Sequence, residues 1–226
     1  MTAKNIIEHV FSSPGKLIRP SLYFMIAKML KLESQYLYPI AAVGEYVHIA
    51  SLLHDDVVDR SPLRRNKPTA HTIWGDQAAI LVGDLIYARA SEIMASTGEV
   101  ELVEIFAKAI CSMSEGELLQ LEHTFCLDIS TQIYLEIARH KTASLMGCIC
   151  RAAGILAHLS QEKKKALESF GFNVGLAFQL VDDALDYRSK TQDIGKNALS
   201  DLKEGKVTLP LILLKQLVSA EEKQRM

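Results

Sequence analysis

The fold of this chain is decided by residues 38–59, which read YPIAAVGEYVHIASLLHDDVVD. Apolar Val43, Val47, Ala50 and Val57 recur in this stretch at intervals of three, four and seven residues, which is the pattern of a packed α-helix. A helix this apolar must be buried against other helices, yet its last turn is acidic. The same combination of an apolar helix and an acidic end occurs once more in the chain.

Apolar periodicity predicts helices over most of the remaining sequence, at residues 76–96, 99–122, 131–157, 162–187 and about 207–218. Ser61-Pro62 and Gly98 interrupt the pattern where helices should end. No window shows the alternation of β-branched residues that a strand requires. The sequence therefore predicts an all-α fold, organised as one domain over residues 1–226.

The overall charge is nearly balanced, with 25 Lys and Arg against 27 Asp and Glu. Broad binding of nucleic acid needs a net basic face, so we expect none and look instead for a small, locally bound anion. The sequence shows neither a signal peptide nor an apolar run of the roughly 18 residues that span a bilayer, which predicts a cytoplasmic protein. Four cysteines without a CxxC pair are predicted to be buried free thiols: Cys111, Cys126, Cys148 and Cys150.

Two carboxylate motifs carry the chemistry. Asp55 and Asp59 are four residues apart and share one helix face, and Asp182 and Asp186 repeat this arrangement within GLAFQLVDDALDY, residues 175–187. Both pairs lie toward the C-terminal end of an apolar helix, where the helix dipole disfavours anions. Two such ends would repel each other unless cations lie between them, and oxygen-only ligands favour Mg²⁺. One such motif is weak evidence, but two indicate a metal-assisted site for a highly charged anion.

Basic residues flank the acidic ones. Arg64 and Arg65 follow the first motif after a proline turn, Lys16 and Arg19 lie near the start of the chain, and Lys141 lies in mid-helix. Arginine offers paired donors that suit phosphate oxygens. Singly, each of these residues is more often a solvated surface group. Together with the acids, they suggest two anions, one held through metals and the other by basic side chains alone.

One polar stretch, residues 187–210, interrupts the helical pattern. A connection between helices that exceeds about 12–15 residues is uncommon unless it has a function. We therefore expect it to act as a lid, although a simple solvated connection is the plainer interpretation.

These motifs carry a resemblance to a known family. The matching stretches, in the family's order and covering most of the chain, are GKLIRP (15–20), LLHDDVVDRSPLRRNKPT (52–69), GDLIYARA (83–90), HKTA (140–143), FQLVDDALDY (178–187) and GKNALSDLKEGKVTLP (195–210). The chain resembles the trans-isoprenyl diphosphate synthases, most of all the bacterial long-chain polyprenyl (octaprenyl) diphosphate synthases. The resemblance implies an isoprenoid synthase-type bundle of mostly antiparallel helices around a central cavity. It also implies a Mg²⁺-dependent prenyltransferase that condenses isopentenyl diphosphate with an allylic diphosphate, giving a product of about C40.

The resemblance assigns roles to individual residues. The metal ligands would be Asp55, Asp59 and Asp182, with Asp56 and Asp186 nearby, and would bind about three Mg²⁺ ions with substrate present. The allylic diphosphate would contact Arg64, Lys141, Lys196 and Lys206. The diphosphate of isopentenyl diphosphate would be held without metal by Lys16, Arg19, His48 and Arg65. Thr142 and Gln179 would line the reacting carbons.

Product length is also implied by the resemblance. Ala50 and Ser51 precede Asp55 by five and four residues, where a bulky aromatic would block the growing chain, so their small side chains leave a tunnel open. Phe106 on a following helix is the candidate floor. Simple close packing of helices is an equally good interpretation of the two small residues.

The family further implies a homodimer and a product that partitions into membranes. Two departures from the family's pattern stand out. Pro14 and Leu17 occupy positions where the family has Gly and Arg, which puts the turn before Arg19 in doubt. The chain is also expected to be shortened at both ends relative to its relatives.

Three alternatives fit parts of the pattern. A non-catalytic or fragmentary subunit of a heteromeric prenyl synthase is disfavoured by the intact acids and bases. A class I terpene cyclase would carry a different second metal motif and more aromatic residues. A di-iron carboxylate site, suggested by Glu45 and His48, would need a second Glu-x-x-His, which the sequence lacks.

Overall fold

The computed structural model describes residues 2–13, 15–188 and 199–223. Its helices are α1 (Thr2–Phe11), α2 (Ile18–Met29), α3 (Leu37–Val58), α4 (Ala70–Trp74), α5 (Asp76–Ser96), α6 (Val100–Glu122), α7 (Thr131–Ala138), α8 (Ser144–Leu156), α9 (Gln161–Arg188), α10 (Ser200–Lys203), α11 (Leu209–Leu217) and α12 (Ala220–Lys223). The predicted all-α fold is confirmed, and most predicted helix ends agree to within about two residues. None of the helices in the described part of the chain has both the length and the apolar character that crossing a membrane requires.

Helix α8 lies at the centre of the bundle. It packs against α2, α3, α6 and α9, and nearly all of its residues are buried. Cys148 and Cys150 are therefore both buried, although they project to different sides of the helix. All four cysteines are free, but Cys126 is only half-buried, and the prediction of burial is wrong for Cys111, which is exposed on α6.

Helix α3 separates two apolar clusters. Val43 and Val47 pack with residues of α2, α6 and α8, whereas Ile49, Ala50 and Leu53 pack with residues of α1 and α5. Burial on two faces explains why the sequence of α3 is apolar almost throughout. The same packing fixes the position of the acidic last turn of α3.

Helix α9 carries the second acidic motif and lies unusually close to its neighbours. A Cβ atom at Gly171 would lie 2.4 Å from the backbone oxygen of Met146, and one at Gly175 would lie 2.8 Å from the Cα of Ala143. Only glycine allows these backbone approaches. The two glycines thus hold α9 against α8 and against the turn that precedes it.

That turn, Arg139–Ala143, is π-helical and joins α7 to α8. The sequence predicts one uninterrupted helix over 131–157, because the apolar pattern continues through the turn. Short π-helical turns inside helices occur frequently at functional sites. This one contains Lys141 and Thr142 and packs against α6 and α9.

A small antiparallel hairpin follows α3, and the sequence did not predict it. Its strands are β1 (Leu63–Arg64) and β2 (Lys67–Pro68). With two residues each, the strands are too short to show alternation. The two turn residues, Arg65 and Asn66, both have positive φ, 51° and 61°, as the tightest hairpin turns require. A positive φ is uncommon for arginine, so Arg65 marks a constrained turn.

An ion-pair network ties the start of α6 to α8 and α9. Glu101 accepts hydrogen bonds from Arg151 Nη2 at 2.9 Å and from the buried Lys164 Nζ at 2.6 Å. The bonds from Lys164 and Arg151 lower the pKa of Glu101. The stabilisation is therefore fully present above the pKa of the unfolded chain and is lost as pH falls through the lower folded value.

We expect Glu101→Gln to lower the free energy of unfolding at pH 7 by about 1 kcal/mol, since the site is partly exposed. Urea unfolding at pH 7 and at pH 4 measures this, and the difference between variant and wild type should shrink at the lower pH. The exposed Glu104, on the same helix, supplies the control Glu104→Gln. An equal loss at both pH values would contradict the ion-pair explanation.

Candidate active site

The first acidic motif lies at the junction of α3, α6 and the π-helical turn. Burial, and then the nearby Glu117 carboxylate, raise the pKa of Asp55 to about 7. Lys141 opposes this rise and is itself ion-paired with Glu117. The carboxylates of Asp55 and Glu117 thus lie close enough to repel each other, with Lys141 beside them.

Residues of α6 complete this corner, and the sequence pattern did not predict them. Lys141 Nζ donates to Gln120 Oε1 at 2.9 Å in addition to its ion pair with Glu117. Glu117 and Gln120 are three residues apart and share one face of α6. Helix α6 also carries other charged residues, so the sequence holds no signal that would have separated these two from its solvent-exposed side chains.

The second motif is organised around a different carboxylate from those predicted. Asp183, between the predicted ligands, is buried and accepts a hydrogen bond from Gln179 Nε2 at 2.7 Å. Gln179 in turn accepts a bond from Thr142 Oγ1 at 2.6 Å. The structure therefore brings Thr142 and Gln179 into contact and adds Asp183 on the other side of Gln179, while their place beside the reacting carbons stays a prediction.

The other two acids of this motif, Asp182 and Asp186, are half-buried. Asp186 accepts hydrogen bonds from the backbone N–H groups of Ser200 and Asp201, both at 3.3 Å, and from Ser200 Oγ at 2.9 Å. These bonds attach residues 199–206 to the end of α9.

The same short segment also reaches the first motif. Lys206 Nζ donates to Asp59 Oδ2 at 2.6 Å and to Glu204 Oε2 at 2.8 Å. Burial by itself would lower the pKa of Lys206, but the two carboxylates more than offset this and raise it. Residues 199–206 thus bridge the ends of α3 and α9, which places the two acidic motifs on the same side of the bundle.

Within the described ranges, no group of three or more His, Cys, Asp or Glu side chains is arranged as a metal site. The donor set nevertheless suits Mg²⁺, which prefers oxygen and usually keeps several waters, binding through one or two carboxylates plus substrate phosphates. Two lysines lie among these acids: Lys141 is near Asp55, and Lys206 forms an ion pair with Asp59.

Lys206→Ala should release residues 199–206 from the end of α3, because Asp59 and Glu204 lose the ammonium group that joins them. We expect cleavage within this segment by a protease that does not require lysine, such as thermolysin, to become roughly tenfold faster. The control is the exposed Lys165 on α9, replaced by alanine. An unchanged cleavage rate in Lys206→Ala would mean that other contacts hold the segment.

A basic cluster lies between α2, α3 and the hairpin. The buried Nε of Arg19 and the buried Oε2 of Glu45 have no hydrogen-bond partner among the described residues. Burial lowers the pKa of Arg19 to about 10, partly offset by Glu45. Burial, with Arg19 and Arg65 nearby, lowers the pKa of His48 well below its usual range, so this imidazole is neutral. Three of the four residues predicted to hold the second anion are therefore close neighbours.

The loop before α2 contacts this cluster through Arg65. Arg65 Nη1 donates to the backbone oxygen of Ser13 at 2.5 Å, and a Cβ at Gly15 would lie 2.4 Å from Arg65 Nη2. Leu17, which departs from the family's pattern, has a left-handed φ of 48° and is exposed, while Lys16 is also exposed. Pro14, the other departure, lies outside the described residues, as does the predicted contact residue Lys196.

Asp56, next to Asp55 in the chain, has an arginine partner of its own. It is buried and accepts a hydrogen bond from Arg64 Nε at 2.6 Å, so these two predicted site residues are paired with each other. Both line a solvent-open cleft of about 490 Å³ between α1, α3 and the hairpin. The assignment of Asp56 as a metal ligand stays a prediction that this pairing does not support.

The residues predicted to set product length are separated in the core. Ala50 is fully buried in the cluster with α1 and α5, whereas Phe106 is fully buried in the cluster with α2 and α8. Ser51 is half-buried, and its hydroxyl donates to the backbone oxygen of His48 at 2.8 Å. Tyr46 and Tyr87 border both clusters and lie between the two positions.

Comparison with known proteins identifies the family to which this chain belongs. The model of the polyprenyl synthetase family matches residues 2–226. The chain belongs to the polyprenyl synthetase family. The chain is 42% identical over 204 residues to octaprenyl diphosphate synthase of Escherichia coli (strain K12), covering 90% of this chain and 63% of that protein. It is 39% identical to the all-trans-nonaprenyl-diphosphate synthase (geranyl-diphosphate specific) of Rhodobacter capsulatus, covering 97% and 67%.

Solved structures of the polyprenyl synthetase family agree with the fold. The polyprenyl synthase of Caulobacter crescentus, complexed with calcium and isoprenyl diphosphate, matches with a TM-score of 0.94 and 42% identity over 98% of this chain and 67% of its own. A decaprenyl diphosphate synthase from Rhodobacter capsulatus matches with a TM-score of 0.91 and 37% identity over 98% and 68%. The predicted isoprenoid synthase-type bundle is thereby confirmed, and the chain spans less than two thirds of the E. coli relative's length.

Proposed function

We propose that this chain is a trans-polyprenyl diphosphate synthase, which condenses isopentenyl diphosphate repeatedly with an allylic diphosphate to give a long-chain product of about C40. One observation carries the proposal: residues 199–206 bridge two acidic helix ends beside Lys141, while a separate basic cluster lies between α2, α3 and the hairpin. Two differently built anion sites are what two diphosphate substrates need. The relatives that share these motifs include octaprenyl and nonaprenyl diphosphate synthases.

The first diphosphate would be held through Mg²⁺ on Asp55, Asp59 and Asp182, with Asp186 nearby and about three ions in all. The polyprenyl synthase of Caulobacter crescentus is complexed with calcium and isoprenyl diphosphate in its solved structure. When bound, Mg²⁺ neutralises charge on the departing diphosphate oxygens. The residues of this chain add to that effect: Lys141 and Lys206 lie beside the acids and would turn to the diphosphate when the cations take their place.

The second diphosphate would be held by basic side chains alone. Arg19, Arg65 and the neutral His48 converge, and Lys16 on the neighbouring loop would complete the set. Arg19 has a free donor, because its buried Nε lacks a partner among the described residues. Arginine donors can pair with the oxygens of a diphosphate without a metal.

The proposed reaction requires the protein to stabilise an allylic cation and to exclude water. Thr142, in the π-helical turn, and Gln179, on α9, offer oxygen atoms that would face the reacting carbons. Residues 199–206, which contact both acidic ends, would close over the site as part of the lid proposed for residues 187–210. The proton lost in each condensation would pass to the released diphosphate.

We also propose a homodimer, a cytoplasmic location and a product that partitions into membranes. The dimer is supported by apolar side chains exposed on the outer faces of α5 and α6, including Leu81, Leu85, Leu118 and Leu121. Size-exclusion chromatography with light scattering tests the dimer directly.

A partner-subunit role remains a second candidate, and one observation favours it. Helix α11 exposes Leu213, Leu214 and Leu217, the last to 84%, which is an apolar surface that another subunit could cover.

Chromatography of products formed from radiolabelled isopentenyl diphosphate separates these functions. The purified chain, given geranyl, farnesyl or geranylgeranyl diphosphate with and without Mg²⁺, should elongate at least one primer only when the metal is present. Failure with every primer would overturn the proposal for the chain alone. Cyclic hydrocarbon products would instead indicate a cyclase.

A further inference from the structure

A chain of three hydrogen bonds runs from α7 through α9 to the π-helical turn. Tyr134 Oη donates to Asp183 Oδ2 at 2.5 Å, and Gln179 Nε2 donates to the other oxygen of Asp183 at 2.7 Å. Thr142 Oγ1 then donates to Gln179 Oε1 at 2.6 Å. Tyr134, Thr142 and Asp183 are all buried, so water competes little for these bonds.

The carboxylate determines the direction of every bond in this chain. An ionised carboxylate only accepts hydrogen bonds, so the phenol of Tyr134 and the amide NH₂ of Gln179 must both point toward Asp183. The amide carbonyl of Gln179 then faces Thr142, whose hydroxyl proton is committed to it. The remaining lone pairs of Thr142 Oγ1 are left for whatever lies beside the turn.

The opposite arrangement is unfavourable for a clear reason. Flipping the amide of Gln179 would place its oxygen against the carboxylate of Asp183 in a buried site, where an unpaired or repelled polar group is costly. Burial and the charge of Asp183 also raise the pKa of Tyr134, which keeps this phenol a donor. The orientation is therefore set from behind the site and needs no ligand.

We propose that Asp183 and Tyr134 are positioning residues that orient the amide of Gln179 and the hydroxyl of Thr142 at the reaction centre. The inference rests on the proposed function, which places Thr142 and Gln179 beside the reacting carbons. Asp183 thereby differs from its neighbour Asp182: it lies behind the side chains that meet the substrate. A Thr142 oxygen with its lone pairs held toward the reacting carbons would stabilise a positive charge that develops there.

The first test needs neither metal nor substrate. Urea unfolding of the metal-free full chain is compared for the wild type, Tyr134→Phe, Thr142→Val and the double variant. The hydrogen bonds that connect these two side chains run through Asp183 and Gln179, so we expect their coupling to pass through these residues. We expect the unfolding constant of the double variant to differ from the product of the single effects by more than about threefold. Additive effects would overturn the inference.

The second test measures product formation. Asp183→Asn, which removes the charge that orients Gln179, should lower kcat on the order of tenfold and leave KM for both diphosphates unchanged. Tyr134→Phe should act in the same direction. The matched control is Tyr23→Phe, which deletes a fully buried hydroxyl on α2 without a partner among the described residues, and should leave kcat unchanged.

Two outcomes would contradict the positioning role. If Asp183→Asn lowered kcat equally in a Thr142→Val background, Asp183 would not act through Thr142. If it raised KM for the allylic diphosphate, Asp183 would act on the diphosphate or its metals. Should the wild-type chain form no product with any primer, the proposed function fails, and the coupling in metal-free unfolding still decides whether Asp183 orients the amide.

Discussion

Asp55→Ala should reduce product formation by roughly 10²-fold or more while the protein remains folded. The reason is that Asp55 would hold metal on the departing diphosphate, and losing one such stabilising contact costs about 10²–10³ in rate. Asp182→Ala should have an effect of the same size, because α9 supplies the opposite side of the same site. The measurement is kcat with saturating Mg²⁺, alongside unfolding by urea.

The structure adds an expectation about stability for Asp55. Burial and the carboxylate of Glu117 already raise its pKa to about 7, which means that its charge is unfavourable in the metal-free fold. Removing it should therefore leave the free energy of unfolding unchanged or raise it, as at sites that sacrifice stability for function. The exposed Glu104→Ala serves as control for both measurements. Retained activity in either aspartate variant would refute the assignment of the site.

Phe106→Ala should lengthen the product, and Ala50→Phe should shorten it toward farnesyl or geranylgeranyl length. Both positions are fully buried, so stability changes too: truncating a buried phenylalanine costs about 3–5 kcal/mol, and overpacking at Ala50 about 1–3 kcal/mol. Products should be analysed by chromatography at a low temperature at which unfolding measurements confirm that each variant is folded.

A buried residue far from the acidic end provides the control for product length. Ile40 is fully buried in the same cluster as Phe106 but lies near the start of α3. Ile40→Ala should destabilise the protein without changing the product. If neither Phe106→Ala nor Ala50→Phe alters product length, the tunnel hypothesis is wrong, and the burial of both residues reflects helix packing alone.

Much of the candidate site was predictable because helical periodicity converts spacing into geometry. Asp55 and Asp59, four residues apart on an apolar helix, could be assigned to one face from their spacing alone, and so could Asp182 and Asp186. The π-helical turn could not be predicted, since the apolar pattern runs through it without a break. The hairpin was missed because two-residue strands leave no alternation to detect.

Residues whose role depends on a partner distant in sequence were also missed. Glu117 and Gln120 matter because α6 packs against the π-helical turn and brings them to Lys141. Asp183 stands directly beside a predicted ligand, yet its partner Tyr134 lies on α7, and no spacing relates the two. Asp56 was grouped with its neighbours, whereas the hairpin brings Arg64 back to it.

By itself, the sequence determined that this chain is all-α, where most of its long helices begin and end, and that two of them carry paired carboxylates toward their C-terminal ends. These properties follow from local periodicity and from the chemistry of oxygen ligands. Only the tertiary structure decided which of the acids are buried and which side chains each of them pairs with. The reason is that burial, desolvation and hydrogen-bond direction depend on side chains brought together from distant parts of the chain.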